Sequence, residues 1–323
     1  MKTPIFGLAL YLFLFTSYTL ASNPDRLTLP ELFEEAELVV YCKNVTSPLA
    51  QFMGAPLNSN KRKLKVLKVF KGKIESKTFT IGTYTLSLFG TLPIIEKDKT
   101  QLAFLQKTKC KSHYSVKNMV QGVKNLRSSL LPAYERQLKK LAEVLKKEKL
   151  SKDIGVHKGN VRDWIIDCAS TPETRPEGLK ALRRIKNRYK RKESPFPLTF
   201  TVQERNKLKA AILATKTLNK GDAQLIDLLD WNYTDRAYDK HLATVLYNTK
   251  LKESAAVHCS DYLNLLFHRL GKSNRNSKLF NVLDLIQKKK FQQGEKELKE
   301  LLKKVGVTKN WLGTGLTIPQ RKR

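Results

Sequence analysis

The chain reads as an α+β protein, a small β domain followed by an all-α array of helices. Ahead of about residue 120 the apolar side chains alternate with polar ones, most clearly in residues 61–72 (KRKLKVLKVFKG) and 101–107 (QLAFLQK). From Ser129 onward they recur every three or four residues instead. At 323 residues the chain is long enough for two domains of ordinary size. The spacing divides it into an export signal at 1–21, a β domain at 22–122 and an all-α domain at 123–323, with a subdivision near 193–198.

Residues 1–21 have the layout of an export signal: Lys2 at the start, an apolar run over 5–15, and Thr19-Leu20-Ala21 before the expected cleavage. The run is too short for a membrane-spanning helix, and Ser22 stands where a lipoprotein would need cysteine. No later stretch approaches about 18 uninterrupted apolar residues, so a soluble, exported mature chain is expected, periplasmic or extracellular. Residues 29–37 (LPELFEEAE) suit a short helix, with Pro30 in its first turn and acidic residues near its N-terminus. A strand is expected over 38–45, then a Pro/Gly/Ser/Asn-rich loop over 47–60.

Within 61–72, Leu64 and Val66 share one side of an extended chain, and Leu67 and Val69 continue one residue out of phase. A β-bulge produces that slip and leaves the lysines facing water. A short amphipathic helix is the alternative; the β-branched content and the Gly72 stop favour the strand. Further strands are expected over 77–81, 101–107 and 112–119.

The order LFEEAELVV, LKVLKVFKG, LAFL across residues 29–119 resembles the netrin-like, or tissue-inhibitor-of-metalloproteinase-like, module of secreted bacterial proteins. The resemblance implies a five-stranded Greek-key barrel of the OB type. Two departures bear on function. The animal inhibitors chelate the protease zinc through an N-terminal cysteine, whereas this mature chain would begin at Ser22. The bacterial relatives often carry Cys-Gly in the middle loop, which here reads LSLFGTL over 86–92.

Helical faces follow: Leu131/Tyr134/Leu138/Leu141/Leu145, Val161/Trp164/Ile165/Cys168 and Leu179/Leu182/Ile185/Tyr189. After a Pro-broken linker at 193–197 come Leu208/Ala211/Ile212/Thr215, Leu242/Val245/Leu246/Thr249 and Cys259/Tyr262/Leu263/Leu266/Leu270. The last two are Leu279/Val282/Leu283/Ile286 and Leu298/Leu301/Leu302/Val305. No fixed repeat period emerges, which leaves a solenoid open. Residues 162–182 resemble a segment that follows the β module in the same bacterial proteins, with Trp164, Cys168, Thr174, Arg175 and Gly178 matching and Pro176 replacing a tryptophan.

The net charge of +32, from 61 Lys and Arg against 29 Asp and Glu, makes polyanions natural partners. Three basic clusters stand out, at 61–73, 183–192 and 288–304. The second is the densest, placing Arg183, Arg184, Lys186, Arg188, Lys190, Arg191 and Lys192 around Tyr189 as a candidate anion-binding set, against a simple solvated helix face. The basic tail at 320–323 is expected to fray. Four cysteines in an exported chain allow three pairings. A Cys42–Cys110 bridge would staple the barrel, and Cys168 and Cys259 on apolar faces read as buried thiols.

No two cysteines are close enough in sequence for the usual zinc spacing, and His113, His157, His241, His258 and His268 follow no ligand spacing and read as isolated surface or interface residues. Gly271-Lys272-Ser273 lacks the first glycine of a phosphate loop, no GxSxG occurs, and Asp227 and Asp230 read as solvated helix carboxylates. The expectation is therefore a non-enzymatic exported binding or scaffolding protein without cofactor or metal. Its partner would be another envelope or extracellular protein, or a polyanion such as anionic lipid, polysaccharide or nucleic acid. Protease inhibition through the barrel and an uncharacterised hydrolase activity are the alternatives.

Overall fold

The structure, a computed structural model, describes residues 27–45, 60–83, 99–108, 113–116, 122–147, 159–193, 197–219, 221–230, 232–251, 253–271, 277–304 and 307. The expected export signal, Cys110, His157, Lys272, Val305 and the basic tail lie outside the described residues. The chain forms two compact units that divide between Val161 and Arg162.

The first unit is a closed barrel. Helix α1 (Leu29–Glu35) precedes strands β1 (Leu38–Asn44), β2 (Asn60–Lys71), β3 (Thr78–Thr83), β4 (Thr100–Lys107), β5 (His113–Val116) and β6 (Val123–Asn125). The order β1-β2-β3-β5-β4 closes through a β1–β4 pairing, and β3–β5 is the one parallel pair. That is the five-stranded OB-like arrangement expected. β6 adds to β4 beside Ala103. Three residues (VKN) hold too little alternation to be read from sequence; of the strand expected over 112–119, the described residues His113–Val116 are extended and the rest lie outside the described residues.

Alternation does the packing. Leu38, Val40 and Cys42 of β1, Leu64 of β2, Phe79 and Ile81 of β3, Ala103 and Leu105 of β4 and Tyr114 of β5 form one buried core. Each fully buried aliphatic or Phe side chain contributes about 1.5–3 kcal/mol. Phe79 meets Tyr114 edge to face, with centroids 5.3 Å apart.

The bulge is where the sequence placed it. Tyr41 pairs with Lys68 and Cys42 with Val66, leaving Leu67 unopposed, and a second slip leaves Phe70 between Val69 and Lys71. Leu67 and Val69, which continue out of phase past the bulge, are 46% and 38% exposed. β3 pairs with β2 only from Asn60 to Lys65, so beyond the bulge β2 outruns the strand that would cover it.

Lys71 ends β2 by donating to the Phe33 and Glu34 carbonyls at the end of α1, at 2.7 and 2.8 Å. Gly72 follows with φ +82°, and a Cβ there would stand 2.4 Å from the Glu37 carbonyl oxygen. Glycine is required on both counts. Helix α2 (Leu131–Lys147) buries Tyr134, Leu138, Leu141 and Val144 and packs on β2, where Glu135 pairs with Lys68 at 2.6 Å. This packing carries the first compact unit beyond residue 122, where strands were expected to give way to a separate helical domain.

The division falls just inside α3 (Asn160–Ser170). The second unit continues with α4 (Arg175–Lys190), α5 (Val202–Leu213), α6 (Asp222–Leu229), α7 (Arg236–Asn248), α8 (Glu253–Arg269), α9 (Ser277–Gln287) and α10 (Phe291–Lys304). No strand occurs among its described residues. The expected faces are buried at Trp164, Cys168, Leu182, Leu208, Leu242, Cys259, Leu266, Leu279 and Leu298, whereas Tyr189 is 45% exposed. α6 went unread because eight residues span barely two turns. No helix among the described residues is long and apolar enough to cross a membrane.

Candidate functional site

Helix α4 starts where the 162–182 motif predicts, with Thr174 as N-cap and Pro176 in the first turn. Its inner face, Gly178, Leu179, Leu182 and Ile185, is buried. A Cβ on Gly178 would lie 2.3 Å from the backbone nitrogen of Ala169, so α3 and α4 cross in contact because that side chain is absent.

The outer face carries the predicted cationic set, and helical geometry splits it. Arg184, Arg188 and Arg191 fall on one side, where Glu193 engages Arg188 at 3.7 Å and Arg191 at 3.0 Å, and Arg184 is partnered as well. Arg183, Lys186 and Lys190 lie at i, i+3 and i+7 along a second line, with the exposed Tyr189 beside them. No carboxylate among the described residues pairs with these three or with Lys192, which ends the helix at φ +59°.

The other two clusters are also occupied in part. In 61–73, Lys68 pairs with Glu135 and Lys71 caps α1. In 288–304, Lys288 pairs with Asp284 and Lys299 with Glu295.

Beneath the surface lie two arginine joints that sequence reasoning missed. The Arg175 guanidinium donates to the Ala169 carbonyl at 2.9 Å, to Ser170 and Ala211 carbonyls at 3.5 and 3.3 Å, and to the Asp222 carboxylate. It thus meets the C-terminal carbonyls of α3 and α5 and an acid at the start of α6, each where a helix dipole favours its charge. Tyr262 donates to the Asp222 carboxylate at 2.7 Å, and the Asn219 side-chain amide donates to it at 3.3 Å. Burial raises the Asp222 carboxyl despite these donors and Arg175.

Arg269, at the end of α8, donates to Asp239 on α7, to the Asp235 carbonyl at 2.7 Å, and pairs with Asp230 at 2.9 Å. The Tyr233 and Tyr238 rings flank it, 5.4 and 5.6 Å from the guanidinium carbon. Asp230 is therefore not the solvated carboxylate expected; it is buried and also accepts from Thr234 and Asp235. Burial works to raise its pKa, but the Asp235 N–H and Arg269 outweigh it and hold the carboxyl low. Asp227 accepts from the Tyr233 hydroxyl at 3.1 Å.

His241 on α7 also departs from expectation: it is buried, 7% exposed, and its Nε2 has no partner. Burial, with Arg175 second, lowers its pKa to about 4. His268 is exposed and packs edge-on against Tyr233. No group of three His, Cys, Asp or Glu among the described residues could hold a metal ion. Cys42, Cys168 and Cys259 are buried thiols, and the bridge expected for Cys42 has its second partner, Cys110, outside the described residues. No family model, curated protein or solved structure matches this chain.

Proposed function

We propose that the chain is an exported, non-catalytic binding protein whose helical unit holds a polyanion along α4. The carrying observation is the line Arg183, Lys186 and Lys190, three cations without a carboxylate partner among the described residues, beside an exposed tyrosine ring. Neighbours three and four apart on a helix stand about 5–6 Å from one another, a spacing that suits consecutive phosphate, sulfate or carboxylate groups. By contrast, the buried groups with chemical potential, Arg175, Asp222, Tyr262, Arg269 and Asp239, are committed to joints between helices.

The ligand is an acidic polysaccharide or an anionic headgroup, the polyanions an exported protein meets. The leader-like residues 1–21 support export, with cleavage after Ala21. The barrel is of the netrin type in this reading, supported by its strand order and by the motif ending at Gly72.

The test is retention of the mature chain on heparin through a salt gradient, beside a Arg183→Glu/Lys186→Glu/Lys190→Glu variant. Binding through phosphate-like contacts weakens steeply with salt, in proportion to the cations engaged. The expected result is retention of the wild type well above physiological salt and early elution of the variant. Elution of the wild type at low salt, or equal retention of both, overturns the reading.

A further inference from the structure

Asparagine followed two residues later by serine or threonine, with no proline between, is the acceptor pattern for N-linked oligosaccharide on surface loops of secreted proteins. The sequence holds it twice, at Asn44-Val45-Thr46 and at Asn232-Tyr233-Thr234. The fold treats the two asparagines oppositely. Asn44 ends β1 opposite Leu64 of β2 and is 1% exposed, and the next N–H, that of Val45, donates to the Lys63 carbonyl at 2.9 Å. An oligosaccharide has no room there. Asn232 is exposed, in the connection between α6 and α7.

This connection presents the pattern outward. The Tyr233 N–H donates to the Asp230 carbonyl at 3.1 Å, and Tyr233 takes φ +56°. Its ring turns towards the buried Arg269, with its hydroxyl on Asp227. Asn232 and Thr234, on either side of it, are both exposed. The Thr234 hydroxyl stands 3.4 Å from Asn232 Oδ1 and 3.1 Å from Asp230 Oδ1, so the two side chains the pattern requires meet at one spot. Among the described residues nothing pairs with Asn232 Nδ2, the atom that takes the sugar.

We propose that Asn232 is the acceptor of an N-linked oligosaccharide, added as the chain is exported. The donor is an oligosaccharide carried on a lipid diphosphate. Asn232 Nδ2 attacks the anomeric carbon of the first sugar, and the bond from that carbon to the diphosphate oxygen breaks. The lipid diphosphate leaves with the electron pair, and Nδ2 gives up one proton to a base of the transferase. Nothing is oxidised or reduced.

Asp230 stands two residues before Asn232, which also meets the stricter bacterial acceptor pattern, where an acid is required at that place. In the folded chain Asp230 is held by Arg269 of α8 and by the Thr234 and Asp235 N–H groups. Arg269 comes later in the chain than Asn232, so a transferase meets the acceptor before that anchor exists. Once closed, the turn carries the sugar into solvent. The inference rests on the export half of the reading above and takes nothing from polyanion binding at α4.

The experiment is secretion of the mature chain from a host that performs N-linked transfer, behind that host's own leader. The chain then meets the transferase whether or not residues 1–21 act as a leader. Export is read separately, from cleavage after Ala21 in the unaltered chain, so the two readings fail independently. Peptide mass spectrometry should find hexose and N-acetylhexosamine mass on the peptide holding Asn232 and none on the one holding Asn44. Asn232→Gln and Thr234→Ala lose that mass, and Thr234→Ser keeps it. Should a variant stay in the cell, the same peptides are read from the retained chain, since transfer precedes folding. A bare Asn232 in the secreted wild type, or sugar on that peptide after Asn232→Gln, overturns the proposal.

Discussion

The Arg175 guanidinium and the Asp222 carboxylate pair with neither side chain exposed to solvent, joining residues 47 apart in sequence. Such a pair is costly to desolvate, and its value shows mainly when one member is removed. Here the carboxylate also accepts from Tyr262 and Asn219, and the guanidinium also fills three helix-end carbonyls. The joint is therefore a hydrogen-bonded network, and its members act together.

Asp222→Asn and Arg175→Met should each destabilise the chain by about 3–5 kcal/mol, because each strands a buried charge. The double substitution should cost clearly less than the sum. Chemical denaturation of the four species gives the coupling energy directly. Strict additivity would mean that the two side chains are not partners.

Gly178→Ala and Gly294→Ala make an opposed pair. Both glycines sit inside helices, where alanine is favoured by about 1 kcal/mol. At Gly178 the new methyl would meet Ala169 backbone at 2.3 Å, whereas at Gly294 the nearest atoms are side chains at 3.6 Å. Overpacking typically costs about 1–3 kcal/mol, and backbone cannot rotate aside as a side chain can. Melting curves should therefore show Gly178→Ala less stable than wild type and Gly294→Ala equal or more stable. A stabilised Gly178→Ala would remove the close crossing of α3 and α4.

Burial pushes the Cys42 and Cys259 thiols up to about 12. At pH 8 that leaves roughly one thiolate in ten thousand, and thiolate is the reactive form. Iodoacetamide at pH 8 should leave both unmodified in the native chain and label both in denaturant, read by peptide mass. Rapid native labelling of Cys42 would place it outside the barrel core. The same experiment without reductant reports the state of Cys110.

Much of the architecture was legible. The change of period near residue 120 separated strands from helices, and the adjacent Val66 and Leu67 announced the bulge in β2. The Gly72 stop and Gly178 of the 162–182 motif both proved to be points of backbone contact. What escaped was short or edge-dependent. β6 and α6 are too brief to show a period, and the exposure of Leu67 and Val69 past the bulge could not be read from spacing. The candidate anion-binding cluster was legible as a composition, but its division into an Arg–Glu193 side and an unpaired line needed the helix.

By itself the sequence determined where the chain extends and where it coils, since alternation and three-to-four spacing are properties of neighbouring residues. Tertiary structure alone decided which charges go inside. Arg175, Asp222, Asp239 and Arg269 look in sequence like any other ions on polar helices, and they are buried because folding brings each an opposite charge and the dipole-aligned ends of other helices. An isolated stretch of chain cannot hold such an ion out of water. The partners that make it tolerable lie tens of residues away and meet only when the helices pack.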